Sequence, residues 1–246
     1  MIRTLQSNDE IVSARDRLRE RGLDFSVPGS KRLWDAMYSL RFRAAAPPWE
    51  MVKSWDVAHA LEIAERKVAQ SDAAILDLGC YNSAILWVLH RRGFNPLFGC
   101  DLNPLCRWMP YWNKIRYDAA DLTHTPYPNH SFAFITCISV IEHGVPADAL
   151  VAEVARLLAP GGIFVFTTDY DATGQSHMVA PELRPFGLDW KIYSRPELWE
   201  LIAKFQGAGL ALLEPENVAD CHVECPVKWE GESYTSVMVA LRAPSA

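Results

Sequence analysis

The sequence predicts an α/β fold built on a doubly wound, mostly parallel sheet, and three observations lead to this prediction. Short apolar runs that end in an acidic residue alternate with segments of helical periodicity over residues 73–168. The runs have the length of buried parallel strands, and the segments between them have the length of crossover helices. The 246 residues, 50% of them hydrophobic, suffice for one substantial core with a small appendage.

Residues 1–50 are predicted to form a helical N-terminal extension, and residues 51–246 the main domain. Ser7 and Glu10 have the spacing of a capping box, so a helix is expected to follow them and to end near Gly22. A second short helix is expected over 31–40, before the run Ala-Ala-Ala-Pro-Pro breaks regular structure. Helical spacing of apolar residues resumes at Ser54 and leads into the main domain.

Strands and helices then alternate along the main domain. Gly93 marks the end of the first crossover helix, and Asn103 with Pro104 marks the start of the next helix. A Pro-Gly-Gly turn precedes the strand near residue 163. The expected strands cover 73–79, 96–101, 131–138, 163–168 and 237–242, and the expected helices cover 54–70, 84–92 and 146–159.

The candidate site residues follow the carboxyl ends of the predicted strands, where ligands bind in open parallel sheets. Asp77 and Gly79 close the first strand, Asp101 closes the second, and Asp121 follows in the third connection. An acid at the tip of the second strand can accept hydrogen bonds from both hydroxyls of an adenosine ribose. The pattern therefore predicts a nucleoside site, with Asp101 as its ribose-binding residue. For Asp77 a purely structural role, as a cap or a brace for the loop, is the alternative.

The loop after the first strand indicates which kind of nucleoside would bind. A dinucleotide site requires G-x-G-x-x-G, but Gly79-Cys-Tyr-Asn-Ser-Ala84 keeps only the first glycine. Tyr81 stands at the second glycine position, where a side chain would crowd a diphosphate. A nucleoside joined to a small amino acid suits this loop better than NAD or ATP. An NAD-dependent oxidoreductase is also disfavoured because the chain has no Tyr-x-x-x-Lys pair.

Four segments in order resemble the successive motifs of the class I S-adenosylmethionine-dependent methyltransferases, in particular the type 11 group that includes the ubiquinone-biosynthesis methyltransferases. The resemblance covers residues 70–170 and, more weakly, the final strand. The segments are Ile75-Leu-Asp-Leu-Gly-Cys80, Gly99-Cys-Asp-Leu-Asn-Pro104, Phe132-Ala-Phe-Ile-Thr-Cys-Ile-Ser-Val-Ile-Glu-His143 and Arg156-Leu-Leu-Ala-Pro-Gly-Gly162.

The resemblance implies a Rossmann-like sheet of seven strands with the last strand antiparallel, and S-adenosylmethionine as the cofactor. Gly79 would lie beside the methionine moiety, Asp101 would hold the ribose, and Ile138 would offer backbone to the methionine end. Leu102 and Leu122 would pack against the adenine ring, and Asp121 would accept a hydrogen bond from the adenine amino group. The neighbouring residues Asp77, Cys80 and Tyr81 complete the expected cofactor site.

The chain departs from the family pattern at two places. Tyr81 and Ser83 replace glycines of the usual G-x-G-x-G, and Ala133 stands where an aspartate commonly begins the fourth strand. The altered loop motivates an alternative function, a noncatalytic S-adenosylmethionine-binding or scaffold protein that has kept the methyltransferase fold.

Glu142 and His143 are the expected catalytic residues, because they follow the fourth strand at the edge where a transferred methyl group must point. Neutral imidazole can accept a proton near physiological pH, which suits a hydroxyl acceptor. The alternative makes His143 a cap for the helix that begins near Pro146. Further candidates for a base lie beyond the fifth strand, namely Asp169, Tyr170, Asp171 and His177.

The net charge and the lengths of the apolar runs limit the classes of partner that we expect. The net charge of -6 disfavours nucleic acid, and no apolar run reaches the roughly 18 residues that span a bilayer. We therefore expect a soluble, cytoplasmic protein with free cysteines that acts on a small-molecule acceptor, and the sequence leaves its oligomeric state open. No metal is expected, because the C-H-x-E-C run of residues 221–225 has no second Cys/His pair at finger spacing.

Overall fold

The sheet places the carboxyl ends of its central strands along one edge. In the computed structural model residues 1–23, 53–68, 71–109, 113–174, 177–183 and 188–245 are described. The main strands are β1 (Ile2–Thr4), β2 (Ser71–Leu78), β3 (Asn95–Asp101), β4 (Arg116–Ala119), β5 (Phe132–Ile138) and β6 (Leu158–Asp171). Five more follow, namely β7 (His177–Met178), β8 (Lys191–Ser194), β9 (Ala211–Leu212), β10 (Val227–Trp229) and β11 (Glu232–Arg242).

Seven of these strands form the main path of the sheet, in the order β1-β11-β6-β5-β2-β3-β4. Strands β2 to β6 pair in parallel with one another, whereas β11 is antiparallel to both β6 and β1. The strand order reverses between β2 and β5, as doubly wound folds require. The predicted α/β sheet with an antiparallel final strand is confirmed.

Helices cover both faces of this sheet and form two hydrophobic cores. The helices are α1 (Asn8–Glu20), α2 (Lys53–Lys67), α3 (Ile85–Arg91), α4 (Ala147–Leu157) and α5 (Arg195–Gly207). Helices α1, α2 and α3 contribute to the first core, and α4 and α5 to the second. Successive residues of a central strand belong to opposite cores, as Ile75 and Leu76 show, because side chains alternate across a strand.

The N-terminal residues differ from the prediction of a helical extension in two respects. Residues 2–4 form β1, which pairs with β11 and is too short to leave a periodic signal in the sequence. Helix α1 is present, but the expected capping box is wrong. The Ser7 side chain makes no capping bond, and the Glu10 carboxylate instead accepts the Gln6 backbone N–H at 3.1 Å. The expected helix over 31–40 and the break at 44–48 lie outside the described residues.

Most of the remaining predicted elements occur close to their expected bounds, but β6 and β11 each begin five residues earlier than expected. The predicted Pro-Gly-Gly turn is wrong, because these residues lie inside β6, where its register with β5 shifts. The turn after β3 is a short 3-10 helix, Pro104–Trp108, and the Asn103 side chain caps it by accepting the Leu105 N–H at 3.0 Å. No helix in the described ranges combines the length and apolar character needed to cross a bilayer.

Candidate functional site

The turn after β2 brings the chain close to the segment that follows β5. Gly79 has φ +78°, and a Cβ added there would lie 2.3 Å from Cγ2 of Val140. Only glycine fits, because any side chain would meet both an unfavourable backbone conformation and a steric clash. The N–H groups of Gly79 and Cys80 both donate to the Cys100 carbonyl, at 2.8 and 3.1 Å, so this turn is fixed to β3.

Asp101, at the end of β3, connects this turn to the next one. Its Oδ2 accepts the Tyr81 backbone N–H at 2.9 Å, and its Oδ1 accepts the Asn103 backbone N–H at 2.8 Å. Burial raises the pKa of the Asp101 carboxyl, and these two backbone donors oppose the rise. Each oxygen of a carboxylate can accept more than one hydrogen bond, so capacity for ligand hydroxyls remains.

Asp77 lies inside the sheet, opposite Thr136 of β5. It is fully buried, and its Oδ1 accepts the Thr136 hydroxyl at 2.6 Å. Burial raises the pKa of Asp77 to about 7, although hydrogen bonds from Thr136 and Ser83 oppose the rise. Its Oδ2 has no hydrogen-bond partner in the described structure. A buried polar atom of this kind is rare in folded proteins and marks a place where a ligand or water completes the bonding.

The other expected cofactor residues lie on the same edge but differ in exposure. The Leu102 side chain is 67% exposed, whereas Cys80, Leu122 and Ile138 are buried. Asp121 is exposed, and its Oδ1 accepts both the N–H and the hydroxyl of Thr123. The structure thus places all nine predicted residues along the carboxyl edge of the sheet, either near the ends of β2, β3 and β5 or in the turns after β2, β3 and β4. It directly links Tyr81 to Asp101.

Glu142 is less accessible than a catalytic base should be. Its side chain is buried, and its Oε2 accepts the Thr168 hydroxyl at 3.2 Å. Burial raises the pKa of Glu142 well above its usual range, and the nearby Asp169 carboxyl adds to the rise. Burial thus favours the neutral form of Glu142, which makes it a poorer proton acceptor than an ionised carboxylate.

A backbone contact fixes the tautomer of His143. Its Nδ1 lies 3.0 Å from the carbonyl oxygen of Asp189, a contact in which Nδ1–H donates and the lone pair remains on Nε2. Burial lowers the pKa of His143, which favours this neutral form.

The four further base candidates have other structural contacts. The buried Tyr170 hydroxyl donates to the Asp220 carbonyl at 2.6 Å, and His177 contacts Glu232 at 3.0 Å. Asp171 accepts the N–H groups of Thr173 and Gly174 through its Oδ1. Asp169 accepts the Trp190 indole N–H at 2.8 Å, and burial raises its pKa to about 6.

Two residues near the start of the described part of α2 were not predicted from the sequence. The Lys53 ammonium donates to the hydroxyl of Ser139, the residue that directly follows Ile138. Asp56 is fully buried, its Oδ1 accepts the Ser236 hydroxyl at 3.0 Å, and its Oδ2 has no partner among the described residues. The available signal was a lysine and an aspartate three residues apart on a helix, with the acid between the apolar Trp55 and Val57.

The C-H-x-E-C run packs against the end of β6. The Ala172 N–H donates to His222 Nε2 at 2.9 Å, and Asp171 Oδ1 lies 3.0 Å from the same nitrogen. The Cys225 thiol is 3.9 Å from Nδ1 of His222. These contacts attach the loop before β10 to the sheet.

An open cavity of about 820 Å³ lies between β1, α1 and α2 and contains none of the predicted site residues. Its lining carries charges of both signs, and its two arginines, Arg3 and Arg17, both pair with Glu62. This mixture favours no particular class of ligand.

A family model described as "Methyltransferase domain" matches residues 54–214, which include every predicted cofactor and catalytic residue. The sterol 24-C-methyltransferase ERG6A of Gibberella zeae is 26% identical over 124 residues, which are 48% of this chain. The matched segment spans only 32% of that relative.

Solved structures share the fold at low sequence identity. The geranyl diphosphate C-methyltransferase of Streptomyces coelicolor A3(2), solved with Mg²⁺, geranyl diphosphate and S-adenosyl-L-homocysteine, has a TM-score of 0.57. It is 18% identical, over 75% of this chain and 76% of that one. An S-adenosylmethionine-dependent methyltransferase of Methanosarcina mazei has a TM-score of 0.58 and 16% identity, over 75% of this chain and 98% of that one.

Proposed function

This chain belongs to the methyltransferase domain family, and from that premise we propose that it methylates a small-molecule acceptor with His143 as the general base. Its cofactor is S-adenosylmethionine. The single observation that supports the catalytic part is the contact between His143 Nδ1 and the Asp189 carbonyl, which leaves Nε2 as the ring nitrogen that can accept a proton.

The residues at the carboxyl edge of the sheet fit this cofactor. The turn at Gly79 has no room for a side chain, the buried Asp77 has an unpartnered oxygen, and Asp101 offers a fixed carboxylate. Asp101 would accept the ribose hydroxyls, while Gly79 and Ile138 would present backbone to the methionine moiety. Leu102 and Leu122 would pack against the adenine, and Asp121 would accept a hydrogen bond from its amino group.

The cofactor supplies an electrophilic methyl group on a sulfonium, so the protein has to position the acceptor and take up the proton that a hydroxyl acceptor loses. Holding two reactants in line contributes about 7 to 11 kcal/mol in favourable cases. His143 removes the proton of a hydroxyl acceptor through Nε2, and the Asp189 carbonyl keeps the ring oriented and holds the proton on Nδ1. Glu142 is buried, so we assign it a supporting role at this edge of the sheet and no part in proton removal.

The test of this proposal is transfer of a ¹³C-methyl label from S-adenosylmethionine to components of a small-molecule extract, followed by mass spectrometry. His143→Ala should lower the rate of label transfer by roughly 10² to 10⁴, because a general base is lost. The dissociation constant for S-adenosylhomocysteine should stay within a few fold. Glu142→Gln, which keeps a neutral donor, should retain most of the activity.

His130→Ala is the matched control, because His130 Nδ1 also lies 3.0 Å from a backbone carbonyl, that of Leu158. This variant should transfer the label at the rate of the unmodified protein. Full activity of His143→Ala would reject the role of His143 as base. Binding of S-adenosylhomocysteine without label transfer to any extract component would instead support the noncatalytic alternative.

A further inference from the structure

An aspartate, a histidine and a cysteine from two distant segments meet at the end of β6. Asp171 is the last residue of β6, whereas His222 and Cys225 belong to the loop between β9 and β10. One donor atom of each residue lies within 4.8 Å of a donor atom of the other two. The expectation of no metal rested on the C-H-x-E-C run alone, but the fold adds Asp171, which precedes His222 by 51 residues.

The separations of these donor atoms are close to those of ligands on one ion. Oδ1 of Asp171 is 3.0 Å from Nε2 of His222, and Sγ of Cys225 is 3.9 Å from Nδ1 of the same ring. Zinc bonds are about 2.0 to 2.3 Å long, so tetrahedral ligand atoms lie roughly 3.3 to 3.7 Å apart. Rotation of the imidazole ring and shifts of about 1 Å therefore suffice to bring one donor atom of each residue onto a single ion.

Backbone groups hold two of the donors in place. Oδ1 of Asp171 accepts the N–H groups of Thr173 and Gly174, each at 2.9 Å. The His222 side chain is only 3% exposed, and its Nε2 accepts the Ala172 N–H at 2.9 Å. Because Nε2 accepts this bond it carries a lone pair, and the Asp171 oxygen beside it is an acceptor too. Two acceptors that face each other at 3.0 Å are stabilised by a cation between them.

We propose that Asp171, His222 and Cys225 bind a zinc ion, which joins the loop before β10 to the end of β6. Carboxylate, imidazole and thiolate are the three ligand types that zinc uses in proteins, whereas magnesium and calcium prefer oxygen ligands alone. The bound ion ionises the Cys225 thiol, and its fourth position holds water. The inference does not depend on the cofactor or on the role of His143.

Co²⁺ is the probe for this site, because it replaces zinc and its bond to a thiolate gives a charge-transfer absorption band. The unmodified protein, first dialysed against a chelator, should develop this band up to an equimolar amount of Co²⁺, and added Zn²⁺ should abolish it. Cys225→Ser should not develop the band. His222→Ala should weaken Zn²⁺ binding at least about 10- to 100-fold, the loss found even for residues that only support a ligand. Zn²⁺ should raise the thermal midpoint of the unmodified protein and leave that of Cys225→Ser unchanged.

Cys221→Ser is the matched control, because Cys221 is an exposed cysteine of the same loop whose thiol lies 3.6 Å from Asp220 Oδ1. This variant should keep both the band and the affinity for Zn²⁺. Absence of the band from the unmodified protein would overturn the inference, and this measurement needs no variant at the site. A band that is lost in Cys221→Ser but kept in Cys225→Ser would also overturn it, because the ion would then use a different cysteine. Circular dichroism of each variant shows whether the loss of the band accompanies a loss of fold.

Discussion

The Asp101 carboxylate is fixed from two sides, by the backbone N–H of Tyr81 and by that of Asn103. The first donor belongs to the turn after β2 and the second to the turn after β3. A side chain held in this way loses little conformational entropy when it accepts ligand hydroxyls. The proposed ribose site therefore depends on how two turns converge on one acid as well as on the acid itself.

Asp101→Ala should weaken binding of S-adenosylhomocysteine by about 1.5 to 3 kcal/mol, because it removes a charged acceptor of two hydroxyl groups. Isothermal titration calorimetry measures this loss. Asp16→Ala, at an exposed position on α1, is the control and should leave the affinity unchanged. If the two variants bound the ligand equally well, Asp101 would not be the ribose-binding residue.

Tyr81 shows how the turn tolerates a large residue at a glycine position of the family pattern. Its half-buried side chain packs against the first core, while its backbone N–H still donates to Asp101. The function of this turn therefore resides in its backbone. The sequence alone could not establish this, because the effect of a tyrosine depends on where its side chain lies.

At the scale of secondary-structure elements, β2 and β5 place a titratable group inside the sheet. Asp77 lies opposite Thr136 in the parallel register of these strands, and the Thr136 hydroxyl is its hydrogen-bond donor. The pKa of Asp77 in the folded protein is about 7, above its ordinary value near 4. Between these two values the folded state binds more protons than the unfolded state, so stability must fall as pH rises.

Asp77→Asn should therefore stabilise the protein more at pH 8 than at pH 5, by about 2 to 3 kcal/mol. The asparagine keeps an acceptor for Thr136 and removes the cost of ionising a buried acid. Urea unfolding at the two pH values measures the difference. Asp148→Asn is the control, because the Asp148 side chain is 85% exposed on α4. It should change the free energy of unfolding by the same small amount at both pH values. A difference between pH 5 and pH 8 shared by both variants would show that Asp77 is not its source.

Elements with a strong local signal could be predicted from the sequence, and those fixed by distant contacts could not. The runs that became β2, β3, β5 and β6 are apolar, and those of β2, β3 and β6 end at acids or glycines, so their positions follow from the sequence pattern. Strand β1 has three residues, and its pairing with β11 depends on packing. The contact between Lys53 and Ser139 joins residues 86 positions apart, which no local pattern encodes.

At the scale of the whole molecule, the N-terminal residues are continuous with the sheet and with the first core. Leu5 is fully buried in that core. Its N–H donates to the Ser236 carbonyl at 2.9 Å, and its own carbonyl accepts the Thr235 hydroxyl at 2.6 Å. Both partners lie on β11, the antiparallel strand next to β6. The segment before α1 thus supports the strands whose carboxyl ends form the candidate site.

Leu5→Ala should lower the free energy of unfolding of the whole protein by about 2 to 5 kcal/mol, because it leaves a cavity in a core shared by the sheet and three helices. The loss should appear as a single shifted transition in thermal unfolding, detected equally by circular dichroism and by tryptophan fluorescence. Val12→Ala, at a position 44% exposed on α1, should change stability by no more than about 0.5 kcal/mol. A Leu5→Ala protein with faster hydrogen exchange only over residues 1–23 and an unchanged main transition would show that the N-terminal residues fold as a separate unit.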